Sequence, residues 1–250
     1  MKEPVVSIII ATFNADKTIG RALLSVENQS FQEWECIVVD GFSQDNTMDI
    51  VRGYASQNER IRFLSEKDKG IYDAFNKGWR IAKGEWIYYL GSDDWLTKNS
   101  FTQLFANNAS YDPRIAIVSG NVIRITRSGR KRVVVSDGFK GSHQGMITRR
   151  SVIEELEGFN EDYKFLADAE LKFRIKQKGY GVVNVDTEIA NISSGGASDK
   201  WSNQIEMAKE RKQFYSLDRS IKHPNLTILS KLVFSVLSIV YSKIIKRINL

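Results

Sequence analysis

The chain has 250 residues, 42% of them hydrophobic, enough for one large domain with a sizeable core and too apolar for a disordered polymer. Its single cysteine, Cys36, excludes an internal disulfide framework and a cysteine-built zinc cluster. The net charge of +6 lies wholly in residues 219–250, where Arg219, Lys222, Lys231, Lys243, Lys246 and Arg247 face no acid, so the neutral first 218 residues exclude the basic working face of a nucleic-acid binder.

The opening, MKEPVVSIIIATF, lacks the apolar core and small-residue cleavage site of a secretory signal, and a cytoplasmic protein is expected. Three near-continuous apolar runs, residues 5–10, 35–40 and 85–91, read as strands buried on both faces, with 61–64 as a fourth. Helical patterns separate them at roughly 15–28, 45–57 and 71–82. This alternation predicts an α/β fold, a mostly parallel Rossmann-like sheet flanked by helices, whose ligands bind beyond the carboxyl ends of the strands. After Asp94 the rhythm breaks. Residues 115–125 and 131–135 read as strands joined by the basic turn RSGRK, and 150–157 and 167–178 read as helices.

Chemistry concentrates just past the strand ends. In YYLGSDDWLTK (88–98), Asp93 and Asp94 follow a core strand directly, and adjacent carboxylates raise each other's pKa unless a positive charge sits beside them. Magnesium or manganese, held by these two aspartates and by substrate phosphates, supplies that charge. Asp40 closes its strand before DGFSQDNT, where it serves either a turn or a nucleoside hydroxyl or N–H. Asp68, Asp73 and Asn76 precede the Asp93-Asp94 pair, and Asp73 and Asn76 share a helix face.

The ordered segments VSIIIATFNADKTIGRALLSVENQSF, ECIVVDGFSQDNT, DKGIYDAFNKGWRIAKGEWIYYLGSDD and GFNEDYKFLADAELKFRI, spanning residues 5–175, resemble an inverting family 2 glycosyltransferase of GT-A fold, of the bacterial surface-polysaccharide type. The resemblance implies a nucleotide-sugar site with Thr12, Asn14 and Asp40 on the nucleoside, Asp68 on base and diphosphate, and Asp73, Asn76, Ser92 and Asp93 alongside. It implies metal ligation by Asp93 and Asp94, although the first position of the family's Asp-x-Asp-Asp run is Gly91 here. The catalytic base falls on Asp168 in ADAELKFR, where Ala167 replaces the family's preceding acid; Asp162 is the other candidate, and capping of the helix is the bland alternative for Asp168. His143-Gln144 is assigned to an acceptor or donor-sugar pocket. SSGGAS (193–198) serves as a lid hinge or as a plain turn.

The expected activity is transfer of a sugar, from a UDP-sugar donor, to a lipid-linked or oligosaccharide acceptor in surface-polysaccharide synthesis. Alternatives are a nucleotidyltransferase, whose Gly-rich basic first loop ATFNADKTI lacks, and a non-catalytic nucleotide-sugar binding module at the membrane. The domain of residues 1–218 is followed by a tail, 219–250. Its polar residues Thr227, Lys231, Ser235, Ser238, Ser242, Lys246 and Asn249 recur at helical steps, so the tail reads as an amphipathic helix. Such a helix lies on the anionic inner face of the cell membrane, or packs on protein.

Overall fold

The computed structural model describes residues 3–106, 112–126, 128–136, 139, 141–194, 196, 201–217 and 228. The expected tail helix lies outside these residues except for Ile228. Two compact units emerge from the contacts within the chain: Met1–Asp162 with Ala167–Ser194, and Tyr163–Leu166 with Gly195–Leu250.

In the first unit, β1 (Val6–Thr12), β2 (Trp34–Asp40), β3 (Ile61–Ser65) and β4 (Trp86–Gly91) form a parallel sheet in the order β3-β2-β1-β4. The helices α1 (Ile19–Glu27), α2 (Thr47–Gln57) and α3 (Ile71–Arg80) connect them. Both faces are covered, which is why β1, β2 and β4 are apolar nearly throughout. Alternate side chains serve opposite faces. Ile8, Ile10, Cys36, Val38 and Tyr88 join α1 and α2 in one core. On the other face Phe75 of α3 stacks 4.6 Å from Tyr89, and Phe159 closes the cluster at 5.0 Å from Tyr89 and 5.2 Å from Tyr72. These elements match the sequence expectation to within a few residues at each end.

The sheet then continues with mixed direction. After β5 (Trp95–Leu96) and α4 (Ser100–Leu104) come β6 (Ile115–Ile125), β7 (Lys131–Val134), β8 (Met146–Arg149), α5 (Arg150–Glu155), α6 (Ala167–Gln177) and β9 (Gly181–Ser193). β8 bridges β4 and β6 as an antiparallel strand, β9 runs parallel to β6, and β7 folds back on β6 as an antiparallel edge. The apolar-run criterion misses β8 and β9. β8 has only four residues, and the first half of β9 interleaves valines with Asn184, Asp186 and Glu188 because it is half exposed.

In the second unit, α7 (Gln204–Leu217) buries Glu210, whose carboxylate accepts the backbone N–H groups of Lys164, Phe165 and Leu166 at 2.7, 3.0 and 3.1 Å. One side chain thus satisfies three consecutive donors that no helix or sheet ladder serves.

At the amino end of the parallel strands, buried Glu35 ties four segments together. It accepts Ser7 Oγ and Lys83 N, both at 2.6 Å, and the Arg62 guanidinium at 2.9 and 3.1 Å. Gly84 completes the cluster by donating its N–H to Ser7 Oγ at 2.8 Å. A Cβ there would lie 2.6 Å from Ser7 N, a backbone atom that cannot swing aside. Gly84→Ala is therefore expected to lower stability by about 1–3 kcal/mol, the usual cost of overpacking. A urea midpoint equal to that of the parent chain would refute it.

Candidate active site

The register of the parallel strands builds the site. Thr12 at the end of β1 lies beside Asp40 at the end of β2, Ser65 of β3 lies beside Asp40 on its other side, and Ala11 pairs with Gly91 of β4. Four strands therefore end together, and the loops after them carry the polar side chains the sequence singled out.

Asp40 is fully buried and engaged in its own turn. It accepts Ser43 Oγ at 2.5 Å, Ser43 N at 3.1 Å and Ser65 Oγ at 2.6 Å. A ligand N–H or hydroxyl reaching it would take the place of a serine hydroxyl that is free to rotate. Asn14, in the left-handed region at φ 48°, locks the first loop to the second, accepting Gln44 N and donating its own N–H to Ser43 Oγ, both at 2.8 Å. Buried Thr12 Oγ1 has no hydrogen-bond partner among the described residues. Asp68 lies against Gly41 and caps Gly70 N at 3.0 Å; burial pushes its carboxyl above the usual range, more than Lys77 lowers it. Thr12, Asn14, Asp40 and Asp68 thus gather at the ends of β1–β3. Two exposed rings in the same loops, Phe13 and Phe42, are not singled out by the motif reading. Phe42 is held at φ 69°, a strained setting for an aromatic residue and a signal visible only in the structure.

Asp73 and Asn76 are placed differently. Asp73 accepts Lys69 N at 2.8 Å and pairs with Lys77 at 3.5 Å, which shapes the 66–70 loop. Asn76 is buried and spends all its hydrogen-bonding positions within the fold. Its amide donates to Phe159 O and Glu161 Oε1, both at 2.9 Å, and its carbonyl accepts Phe159 N and Trp79 Nε1 at 2.9 and 3.0 Å. Nothing on Asn76 is left for a nucleotide. Asp162 is exposed on the same 157–162 loop.

Ser92, half-buried, sits in the turn after β4, which brings Asp93 and Asp94 back over Gly91. A Cβ on Gly91 would lie 2.8 Å from Asp94 Oδ2 and 3.1 Å from Asp93 Oδ1, so the departure from the family's acidic first position is what lets both carboxylates fold inward. Arg21 donates to Asp93 O at 2.7 Å while stacking 3.7 Å over Trp95. Ser193 grips the turn twice, N–H to Asp94 Oδ1 at 2.8 Å and Oγ to Asp93 O at 2.7 Å. It is the first residue of the expected SSGGAS loop, whose Gly195, Ala197 and Ser198 lie outside the described residues.

Burial, reinforced by Asp93, raises the Asp94 carboxyl to about 6 despite hydrogen bonds from Ser193 and Gln144. Among the described residues, no three His, Cys, Asp or Glu side chains cluster as a complete metal cage. Two hard oxygen donors short of positive charge do fit a divalent cation that completes its shell with phosphate and water.

The short 3₁₀ turn His143–Gly145 joins this turn to α6. Gln144 Nε2 donates to Asp94 Oδ2 at 3.0 Å, and Tyr88 Oη donates to Gln144 O at 2.5 Å. His143 Nδ1 lies 3.6 Å from Asp168 Oδ2 and its ring packs edge-on against Phe75. Asp168, second residue of α6, also receives Tyr72 Oη at 3.3 Å and Lys172 Nζ at 3.5 Å. Lys172 is buried and anchored on Gly141 O at 2.7 Å. Burial alone would raise the Asp168 carboxyl; Lys172, then His143, overcome it and hold the group well below the usual carboxylate range. Asp168 is thus more than a helix cap. Lys172, one turn along the same helix, lies outside the motif reading, although the i,i+4 spacing makes the pair legible.

The family model for glycosyl transferase family 2 matches residues 7–169. The chain belongs to glycosyltransferase family 2. It is 31% identical over 180 residues to a PGL/p-HBAD biosynthesis glycosyltransferase of Mycobacterium bovis, covering 70% of each chain. Among solved structures, it resembles the mannosyltransferase PcManGT of Pyrobaculum calidifontis in complex with GDP-Man and Mn2+, with TM-score 0.72 and 17% identity over 97% of this chain and 76% of that one. S. aureus TarS 1-349 in complex with UDP matches with TM-score 0.65 and 18% identity, covering 91% and 70%. These likenesses establish the GT-A fold, and the protein is an enzyme of the glycosyltransferase class.

The raised Asp94 carboxyl has a consequence for stability. The folded chain holds this proton more tightly than the unfolded one, whose aspartate titrates near 3.9, so the penalty grows as pH rises from that value through about 6 and is complete above it. Asp94→Asn should therefore stabilise the metal-free protein at neutral pH by about 1–3 kcal/mol, with the gain vanishing in acid below the ordinary aspartate range. Urea titrations across that pH span test this; a variant less stable than the parent at neutral pH would contradict it.

Proposed function

We propose that the enzyme transfers a sugar, with inversion, from a nucleotide diphosphate sugar, UDP-linked by preference, to a hydroxyl of a lipid-linked or oligosaccharide acceptor. The observation that carries this reading is the His143-Gln144 dipeptide. One member bonds the Asp93-Asp94 turn and the other faces Asp168, so one short turn ties the two carboxylate centres together.

In this reading the loops after β1–β3 hold the nucleoside through Thr12, Asn14, Asp40 and Asp68. Asp93 and Asp94 hold magnesium or manganese, which when bound neutralises the charge gathering on the departing diphosphate. Asp168 accepts the proton of the acceptor hydroxyl as its oxygen bonds the anomeric carbon and the bond from that carbon to the diphosphate oxygen breaks. Lys172 and His143 keep Asp168 ionised, ready to accept. Arg21 and Ser193 fix the backbone of the metal turn, so that the two centres keep their spacing while the substrates exchange. The mannosyltransferase relative bound to GDP-Man and Mn2+ and TarS bound to UDP support a nucleotide donor with a divalent cation. A glycosyltransferase relative in PGL/p-HBAD biosynthesis supports a lipid-linked or cell-surface acceptor. These features do not favour a nucleotidyltransferase or a silent binding module.

The same proposal makes the basic tail, residues 219–250, the anchor that holds the enzyme on the inner face of the membrane where a lipid-linked acceptor resides. Among the described residues no helix is long and apolar enough to cross a membrane. A chain ending at His223 is expected to stay in the supernatant when the full chain sediments with anionic liposomes; equal sedimentation of both refutes the anchor.

Asp168→Asn should cut turnover by roughly 10² to 10⁴ while donor affinity stays nearly constant, the range for loss of a general base. A nucleotide-sugar panel assayed for hydrolysis with manganese identifies the donor, and calorimetry on the variant separates binding from chemistry. If Asp162→Asn carries this signature and Asp168→Asn does not, the base has been misassigned.

A further inference from the structure

The hairpin of β6 and β7 has no part in the chemistry above, yet it is tied to the site both beside its turn and at its open end. Ile125 pairs with Ser193, the residue that grips the Asp93-Asp94 turn, and Ile125 O accepts Ser194 N at 2.9 Å. On the returning strand, Ser136 Oγ donates to Ser119 Oγ at 3.0 Å, and Ser136 lies against Gly141, the residue that anchors Lys172. The hairpin therefore lies along the rim of the candidate active site.

Its chemistry is unusual for an edge strand. All four residues of β7 are exposed, and Val133, Val134 and Val135 stand 45%, 38% and 69% open to solvent. Arg130, Lys131 and Arg132 directly precede them, and Arg132 pairs across the ladder with Arg124, which concentrates positive charge. The sequence from 116 to 136 holds no Asp or Glu, and among the described residues Lys131 and Arg132 meet no carboxylate. Charges alone would blunt a sheet edge against self-pairing. Three consecutive exposed valines work against that purpose, because they make the edge sticky.

We propose that Arg130–Val135 is a docking surface for an anionic phospholipid bilayer, with the basic side chains on headgroup phosphates and the valines at the acyl boundary. Basic residues followed by exposed aliphatic ones match the two layers of a membrane surface, phosphate outside and hydrocarbon beneath. A nucleic acid would use the cations equally but would leave the valines without a partner. The segment 116–136 also has no aromatic side chain on which bases could stack. This contact is separate from the tail and stands whether or not the tail binds lipid.

The test uses the full chain with Val135→Cys, labelled with an environment-sensitive fluorophore. Cys36 is buried and its thiol is pushed far up by burial, so the label goes to residue 135. Vesicles of phosphatidylcholine with phosphatidylglycerol should shift the emission to the blue, and vesicles of phosphatidylcholine alone should not. Each basic residue near an anionic surface contributes roughly fivefold in partitioning, so replacing Arg130, Lys131 and Arg132 together by Gln should weaken the shift on the order of 10²-fold. Far-ultraviolet circular dichroism confirms that this variant is folded. Sedimentation with the vesicles without a spectral shift overturns the proposal and leaves the tail as the anchor. A shift with duplex DNA but not with vesicles, or a protein concentration dependence that marks dimerisation through this edge, overturns it as well.

Discussion

Repulsion between Asp93 and Asp94 at the end of a buried strand is the constraint on which the rest of the site depends. The Asp94 carboxylate cannot be withdrawn into water, since it is buried and its turn is fastened by Arg21 and Ser193. The protein supplies hydrogen bonds from Ser193 and Gln144 but, among the described residues, no cationic side chain in contact, and these leave the Asp94 carboxyl well above its ordinary value. In the proposed function, that missing charge is what a bound cation would supply. A pair fully neutralised by lysine or arginine would be more stable and would bind metal poorly.

Asp168 is treated in the opposite way. Lys172 and His143 surround it with positive charge and hydrogen-bond donors, and its proton is lost far below neutrality. The two carboxylate centres of one site are thus driven apart in acidity, one awaiting a positive partner and the other already supplied with one. Separation of this kind is how a fold assigns different tasks to the same functional group. A strongly ionised carboxylate is a weak base, so in the proposed role the contribution of Asp168 would rest on position and on being unprotonated at every working pH rather than on intrinsic basicity.

Much of this was legible in the residues. The doubly covered parallel sheet followed from apolar runs in β1, β2 and β4, and the clustering of Thr12, Asn14, Asp40, Asp93 and Asp94 followed from their positions just past strand ends. What was illegible depended on contacts distant in sequence. Asn76 and Asp73 share a helix face and read as ligands, yet Asn76 is consumed by Phe159 and Glu161, more than eighty positions away. Ser193 reads as part of a glycine loop, yet it ends an alternating strand and reaches back a hundred positions to Asp93. Short or half-exposed strands such as β8 and β9 leave a faint pattern because only part of their length is buried on both faces.

Glu210 bears on where this chain can be shortened. The three N–H groups it accepts belong to Lys164, Phe165 and Leu166, which run straight into the first residue of α6 and so into Asp168. A version ending ahead of α7 would strip the acceptor from three adjacent donors next to the proposed base, although every motif of the family would still be present in it. The family pattern stops at residue 169, whereas the helix that carries Glu210 runs on to Leu217. Gene trimming guided by motif boundaries alone would discard the acceptor of three backbone donors, a side chain some forty residues further along the chain than the last motif.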